Sequence, residues 1–183
     1  APHASNIEAA AATAWRLGIP ADAIVRGIAE IPAVPGRLET VRAGQPFRVV
    51  VDYAHKPDAL ERVLESLRGL CPGRLITVFG CGGDRDAGKR PLMGAIAARL
   101  SDIVILTSDN PRTENPMAIL AAIEEGVRSE GRTPVAEAAL GQGVVEAVAV
   151  VPERRTAIFR AIEIAGDSDL VLIAGKGHED YQI

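Results

Sequence analysis

Four short clusters in this 183-residue chain bring together side chains that could do chemistry: Asp52-Tyr-Ala-His-Lys-Pro57, Gly80-Cys-Gly-Gly-Asp-Arg-Asp86, Ser108-Asp-Asn-Pro-Arg112 and Gly175-Lys-Gly-His-Glu179. Arg85 and Arg112 each follow carboxylate or amide groups: Asp84 in one cluster, Asp109 and Asn110 in the other. A guanidinium presents a planar fork that fits a carboxylate in bidentate fashion. Asp and Asn accept from an ammonium. A site holding both is complementary to a zwitterionic amino acid. The blander reading stands beside it: Asp84-Arg-Asp86 is also an internally paired turn, and Asn110-Pro111 a common turn initiator.

The second cluster also imitates a phosphate loop. Gly83-Asp-Arg-Asp-Ala-Gly88-Lys89 fits the first seven positions of that motif, but Arg90 stands where Ser or Thr must ligate Mg²⁺. Asp84 and Asp86 would add negative charge to a phosphate cradle. The dinucleotide fingerprint fails too, because Gly80 and Gly82 are followed by Gly83 and Arg85 at the wrong places. His55 and His178, taken singly, read as hydrogen-bonding residues rather than catalysts. Cys81 has no His or second Cys at ligand spacing, so neither a metal site nor a thiol nucleophile is expected.

The elements that position these clusters follow from hydrophobic periodicity. Asn6 is placed to cap a helix ending near Leu17, with Gly18 as the stop. Ile24, Ile28 and Ile31 predict a second helix over 21–31. Pro32, Pro35 and Gly36 then break the chain, so residues 1–34 read as the tail of another domain. Strands are expected over 37–42 and 47–52, 74–79, 103–107, 144–151 and 169–174. Helices are expected over 58–68, from Pro91, from Pro116 and over 155–165. Residues 131–143 read as a surface loop with a short strand. The runs 49–51, 103–106 and 170–174 are continuously apolar, as in strands covered on both faces. The expected fold is therefore α/β: a Rossmann-like, mostly parallel sheet with flanking helices. All four clusters would then lie outside the carboxyl ends of the strands, where such sheets bind ligands.

Bulk properties narrow the partners. A hydrophobic content of 48% with 24% charged residues fits an ordinary globular domain. A net charge of -4 and aromatics at 3% argue against a nucleic-acid surface. Two cysteines make no disulfide framework, and the N-terminal residues do not have the form of a signal peptide, so a cytoplasmic location is expected. No apolar run approaches the roughly 18–20 residues of a membrane helix, so no membrane insertion is expected.

Five motifs in register resemble the Mur ligases of peptidoglycan synthesis, in particular the type that adds the third residue of the stem peptide. They are Pro35-Gly-Arg-Leu-Glu39, Val51-Asp-Tyr-Ala-His-Lys-Pro-Asp58, Phe79-Gly-Cys-Gly-Gly-Asp-Arg-Asp86 with Gly88-Lys-Arg-Pro91, Asp109-Asn-Pro-Arg112 and Gly175-Lys-Gly-His-Glu179. The resemblance implies that residues 1–34 are the last helices of a central ATPase domain. It implies that 35–183 are the amino-acid-binding C-terminal domain, slightly truncated. It also implies an ATP- and Mg²⁺-dependent ligase that joins meso-diaminopimelate to UDP-MurNAc-L-Ala-D-Glu through an acyl phosphate. By this resemblance Asn6, Arg37, Asp52 and His55 lie at the ATP site, with Arg37 neutralising phosphate and Asp52 accepting from ribose hydroxyls. Arg85, Asp109, Asn110, Arg112, Gly175 and Glu179 form the diaminopimelate site, Arg112 being the mark of that substrate.

The family's P-loop and Mg²⁺ residues have no counterpart here, so no catalytic residue is assigned. The chain alone is expected neither to hold a cofactor tightly nor to ligate without its missing N-terminal and central domains. His3 stands where the family carries Asn. Two other readings remain open: a stand-alone amino-acid-binding module, and a nucleotide-binding enzyme using Gly83–Lys89.

Overall fold

A computed structural model describes residues 4–31, 34–141, 143–179 and 181. His3 and Pro32 lie outside the described residues. The chain divides into two units, Ala1–Val34 and Pro35–Ile183.

The first unit consists of α1 (Ala4–Arg16) and α2 (Ala21–Glu30). Asn6 does not cap α1. The alanine-rich segment carries the helix back to Ala4, which leaves Asn6 exposed within the first turn. Gly18 does end it, at φ +84. No residue of either helix is buried, as two short helices without a third layer would require.

The second unit is built on one sheet. Its strands are β1 (Glu39–Val41), β2 (Arg48–Asp52), β3 (Leu75–Phe79), β4 (Ile103–Leu106), β5 (Ala147–Val150) and β6 (Leu170–Ala174). Among the described residues they run in the order β1-β2-β6-β3-β4-β5. Only the β1–β2 pairing is antiparallel; the other four are parallel. The helices are α3 (Pro57–Arg68), α4 (Lys89–Leu100), α5 (Pro116–Ser129) and α6 (Arg154–Ile164). The chain steps outward from β3 to β5 and returns through α6 to insert β6 between β2 and β3.

Alternate strand residues serve two cores, which is why the strands read as unbroken apolar runs. Val50, Leu75, Phe79, Val104, Leu106 and Leu172 pack with α3, α4 and α5. Val49, Ile76, Val78, Ile103, Ile105 and Val171 pack with α6 and Leu140. With both faces covered, polar chemistry is left to the strand ends.

Several boundaries differ from expectation, among them the strand expected over 144–151, which is cut to Ala147–Val150. The expected strand over 37–42 is shortened to Glu39–Val41, because Leu38 is left-handed at φ +48 and cannot enter a ladder. Helix α4 starts two residues before Pro91, which is tolerated because a first-turn amide has no intrahelical partner to lose. The short strand expected within 131–143 is a single parallel bridge, Val135 to Ala149, followed by a 3-10 turn at Glu137–Ala139.

Helices α4 and α5 approach backbone to backbone. A Cβ added at Gly126 would lie 1.8 Å from the Pro91 carbonyl oxygen, and one at Gly94 would lie 2.1 Å from that of Ile123. Gly126→Ala is expected to gain at most about 1 kcal/mol in helix propensity and to lose about 1–3 kcal/mol or more to overpacking. Denaturant unfolding of the chain should therefore show a net loss of stability. A gain would mean that the helices separate more easily than their backbone contact implies.

Candidate amino-acid-binding site

The carboxyl ends of β2, β6, β3 and β4 are neighbours in register, with Asp52 opposite Ala174 and Phe79 opposite Leu106. The four polar clusters therefore leave the sheet along one edge. They surround a cleft of about 890 Å³. Arg85, Asp109, Asn110, Arg112, Gly175 and Glu179 all line it, and so does His55.

The glycines of 80–83 serve close packing between loops. A Cβ at Gly80 would meet the Thr107 carbonyl oxygen at 2.0 Å, and one at Gly83 would meet that of Pro111 at 2.0 Å. The Gly83 amide donates to the Asn110 carbonyl at 2.9 Å. Arg112 completes the stitch: its Nη1 donates to the carbonyls of Gly83 at 2.8 Å and Asn110 at 3.3 Å. Arg112 is itself left-handed at φ +52, a conformation that costs a non-glycine residue about 1 kcal/mol or more. Its contacts hold it there.

Side chains assigned no supporting role from the sequence brace this loop pair. Arg90 is buried and donates to Glu114 at 2.7 Å and to the Gly82 carbonyl at 3.4 Å. Glu114 Oε1 also accepts from the Asp84 amide at 2.6 Å. Asp84, left-handed at φ +50, accepts from the Thr113 hydroxyl at 2.8 Å and from the Thr113 amide at 3.2 Å. Asp86 accepts from the Gly88 amide at 2.9 Å.

The phosphate-loop reading does not survive this geometry. Asp84 and Asp86 shape the turn, Arg90 turns inward, and Lys89 donates across the cleft to the His55 carbonyl at 2.8 Å. Arg85 is exposed, lines the cleft and donates to the Asp84 carbonyl at 3.1 Å.

The residues expected at a nucleotide are placed differently. Asp52 is buried, and its two oxygens accept from the Leu38 and Ala54 amides, each at 2.8 Å. It thereby fixes the left-handed Leu38. Arg37 lies exposed, its guanidinium carbon 4.5 Å from the centroid of the Tyr53 ring. Neither lines the cleft. Asn6 belongs to the other unit.

Tyr53 is a hub that spacing alone did not reveal. Its hydroxyl donates to Glu179 Oε1 at 3.2 Å, and its ring meets His55 edge-on at 4.6 Å between centroids. Burial and then the Glu179 carboxylate push its phenol pKa above the ordinary value. His55 Nδ1 lies 2.8 Å from the Tyr53 carbonyl, so Nδ1 carries the proton in that bond. Cys81 is buried beside Met93, and burial pushes its thiol up to about 11, which makes it inert as a nucleophile. Among the described residues no group of three or more His, Cys, Asp or Glu is placed to hold a metal ion.

A cleft outside the carboxyl ends of parallel strands, with guanidinium and carboxylate groups facing it, defines a small-molecule-binding α/β domain. Residues 36–177 match the family model described as "Mur ligase, glutamate ligase domain". The chain belongs to the Mur ligase family. It is 54% identical over 178 residues to the UDP-N-acetylmuramoyl-L-alanyl-D-glutamate–2,6-diaminopimelate ligase of Solibacter usitatus, covering 97% of this chain and 33% of that protein. The ligase of the same name from Thermosynechococcus vestitus is 51% identical over 181 residues, covering 98% of this chain and 33% of that protein.

A solved structure of a ligase of that name superposes with a TM-score of 0.67 at 41% identity, covering 97% of this chain and 33% of that one. The UDP-N-acetylmuramate-alanine ligase of Thermotoga maritima shares the fold, with a TM-score of 0.67 at 17% identity over 96% of this chain and 34% of that one. The chain spans about a third of the length of the curated relatives it matches.

Hydrogen bonds from the Thr113 side chain and then the Thr113 amide hold the Asp84 carboxyl below its ordinary value of 3.8. A depressed carboxylate contributes stability that is present above the ordinary value and lost as pH falls through the folded one. Thr113→Val removes one of the two donors. The Asp84 carboxyl, followed by ¹³C NMR, should then titrate at higher pH than in the wild type. An unmoved midpoint would show that Thr113 is not what holds this turn.

Proposed function

We propose that residues 35–183 form the acceptor domain of a diaminopimelate-adding Mur ligase, and that residues 1–34 are the last helices of its ATP-binding domain. The carrying observation is the convergence of Arg85 and Arg112 with Asp109 and Glu179 around one cleft. The guanidinium groups suit carboxylates and the acids suit ammonium groups, as a meso-diaminopimelate zwitterion with a second carboxylate requires. The names of the relatives at 54% and 51% identity support the same substrate.

In the proposed reaction the γ-phosphate of ATP passes to the glutamate carboxylate of UDP-MurNAc-L-Ala-D-Glu. The amine of diaminopimelate attacks the acyl phosphate, and ADP and phosphate leave. This domain contributes positioning. It holds the acceptor so that its amine reaches a carboxyl activated elsewhere in the protein. ATP supply places the reaction in the cytoplasm.

No step of the acceptor domain is routed through Mg²⁺. Arg37 and His55 fit a nucleotide contact from this domain. Asp52, committed to two backbone amides, supports that contact by fixing the Leu38 turn.

In the full-length polypeptide that carries this chain, Arg112→Ala is expected to raise KM for diaminopimelate by about 10-fold or more, as for losing a charge-assisted contact. KM for ATP should be little changed. The preference for diaminopimelate over lysine should fall, and an unchanged preference would remove the specificity assignment. If instead the 183-residue chain alone binds diaminopimelate tightly by calorimetry while the full-length polypeptide makes no product, the cleft belongs to a stand-alone binding module.

A further inference from the structure

Lys176 lies behind the Asn110–Glu179 side of the cleft and is only 8% exposed. Its Nζ donates to Asn110 Oδ1 at 2.7 Å and to the Tyr181 carbonyl at 2.6 Å. Asp109 Oδ1 and Glu179 Oε2 each stand 3.9 Å away. Burial lowers its pKa, and the Asp109 and Glu179 carboxylates oppose that shift.

An ammonium carries three donors and no acceptor, so the atom of Asn110 that faces it must be the carboxamide oxygen. On its other side Asn110 Nδ2 donates to Glu179 Oε2 at 3.3 Å. Reversing the amide would set NH₂ against NH₃⁺ and a carbonyl oxygen against a carboxylate. The two contacts therefore permit one polarity.

We propose that Lys176 is a positioning residue that locks the Asn110 carboxamide as a donor on the cleft side, so that Glu179, and not Asn110, receives the ammonium of the acceptor amino acid. The inference rests on the diaminopimelate reading of the cleft. It reverses the sequence-based expectation that Asn110 accepts from an ammonium. Glu179 is held ready to accept, because Tyr53 and Asn110 donate to its two oxygens and so fix the plane of the carboxylate.

The test uses the full-length polypeptide with ATP, UDP-MurNAc-L-Ala-D-Glu and diaminopimelate. Lys176→Met should raise KM for diaminopimelate by about 30-fold, the scale of losing a hydrogen bond to a charged group. Changes in kcat and in KM for ATP should stay within about 3-fold, because nothing at the activated carboxyl is touched. Asn110→Asp should be at least as damaging, since it sets a second carboxylate against Glu179 while still pairing with Lys176.

If Asn110 accepts the ammonium itself, Asn110→Asp will leave KM unchanged or lower it, and the proposal is overturned. It is overturned equally if Lys176→Met shifts kcat, both KM values and the melting temperature together. Should Lys176→Met fail to fold, Asn110→Asp decides alone. A wild-type polypeptide that uses no diaminopimelate would refute the proposed function instead. The amide polarity is then read from the 183-residue chain by ¹H–¹⁵N NMR: NOEs from the Asn110 NH₂ protons to the Glu179 γ-methylene are expected, and NOEs to the Lys176 ε-methylene instead overturn the proposal.

Discussion

Everything at the candidate site depends on how closely the loops after β3 and β4 approach one another. The backbone at Gly80 and Gly83 comes so near the carbonyls of Thr107 and Pro111 that no Cβ fits between them. That contact brings Arg85 and Arg112 to the same cleft, although their places in the chain differ by a whole helix. Without it the two guanidinium groups would belong to separate surface turns. Glycine is required here for proximity rather than for a bare phosphate cradle.

Close approach alone would leave the loops free to slide, and a half-buried ion pair prevents it. Arg90 sits behind the loops, 5% exposed, and reaches both Gly82 and Glu114. Glu114 in turn holds the Asp84 amide, and Thr113 holds the Asp84 carboxylate. Two left-handed non-glycine residues, Asp84 and Arg112, are kept in place by these bonds. Backbone strain gathered around a cleft and held by its surroundings is typical of binding sites.

Arginines at the other end of the sheet show that a guanidinium group is not by itself a sign of ligand binding. Arg132 donates to the carbonyls of Ala98, Ser101, Asp102 and Ala147, and Arg74 pairs with Asp169 at 2.6 Å. These groups close the amino-terminal edge by satisfying backbone acceptors. Arg85 and Arg112 differ in facing an open cleft beside carboxylates. That difference is spatial.

The α/β class, the parallel sheet and the edge that carries the polar clusters were all legible in the sequence. Local rules suffice for them: unbroken apolar runs need cover on two faces, and polar groups are then confined to strand ends. The six residues expected at an amino acid gather at one cleft, because each sits in a cluster that follows a strand. What the tertiary structure decided is who supports whom. Arg90 looked like a failed phosphate-loop residue and is a buried brace. Tyr53 and Lys176 lay unnoticed inside quoted motifs and hold Glu179 and Asn110. Asp52 turned out to be committed to backbone amides 14 residues back and two ahead. Such partnerships join residues up to 126 positions apart. They exist only because strand order sets loops side by side, with β6, the last strand in the chain, lying between β2 and β3.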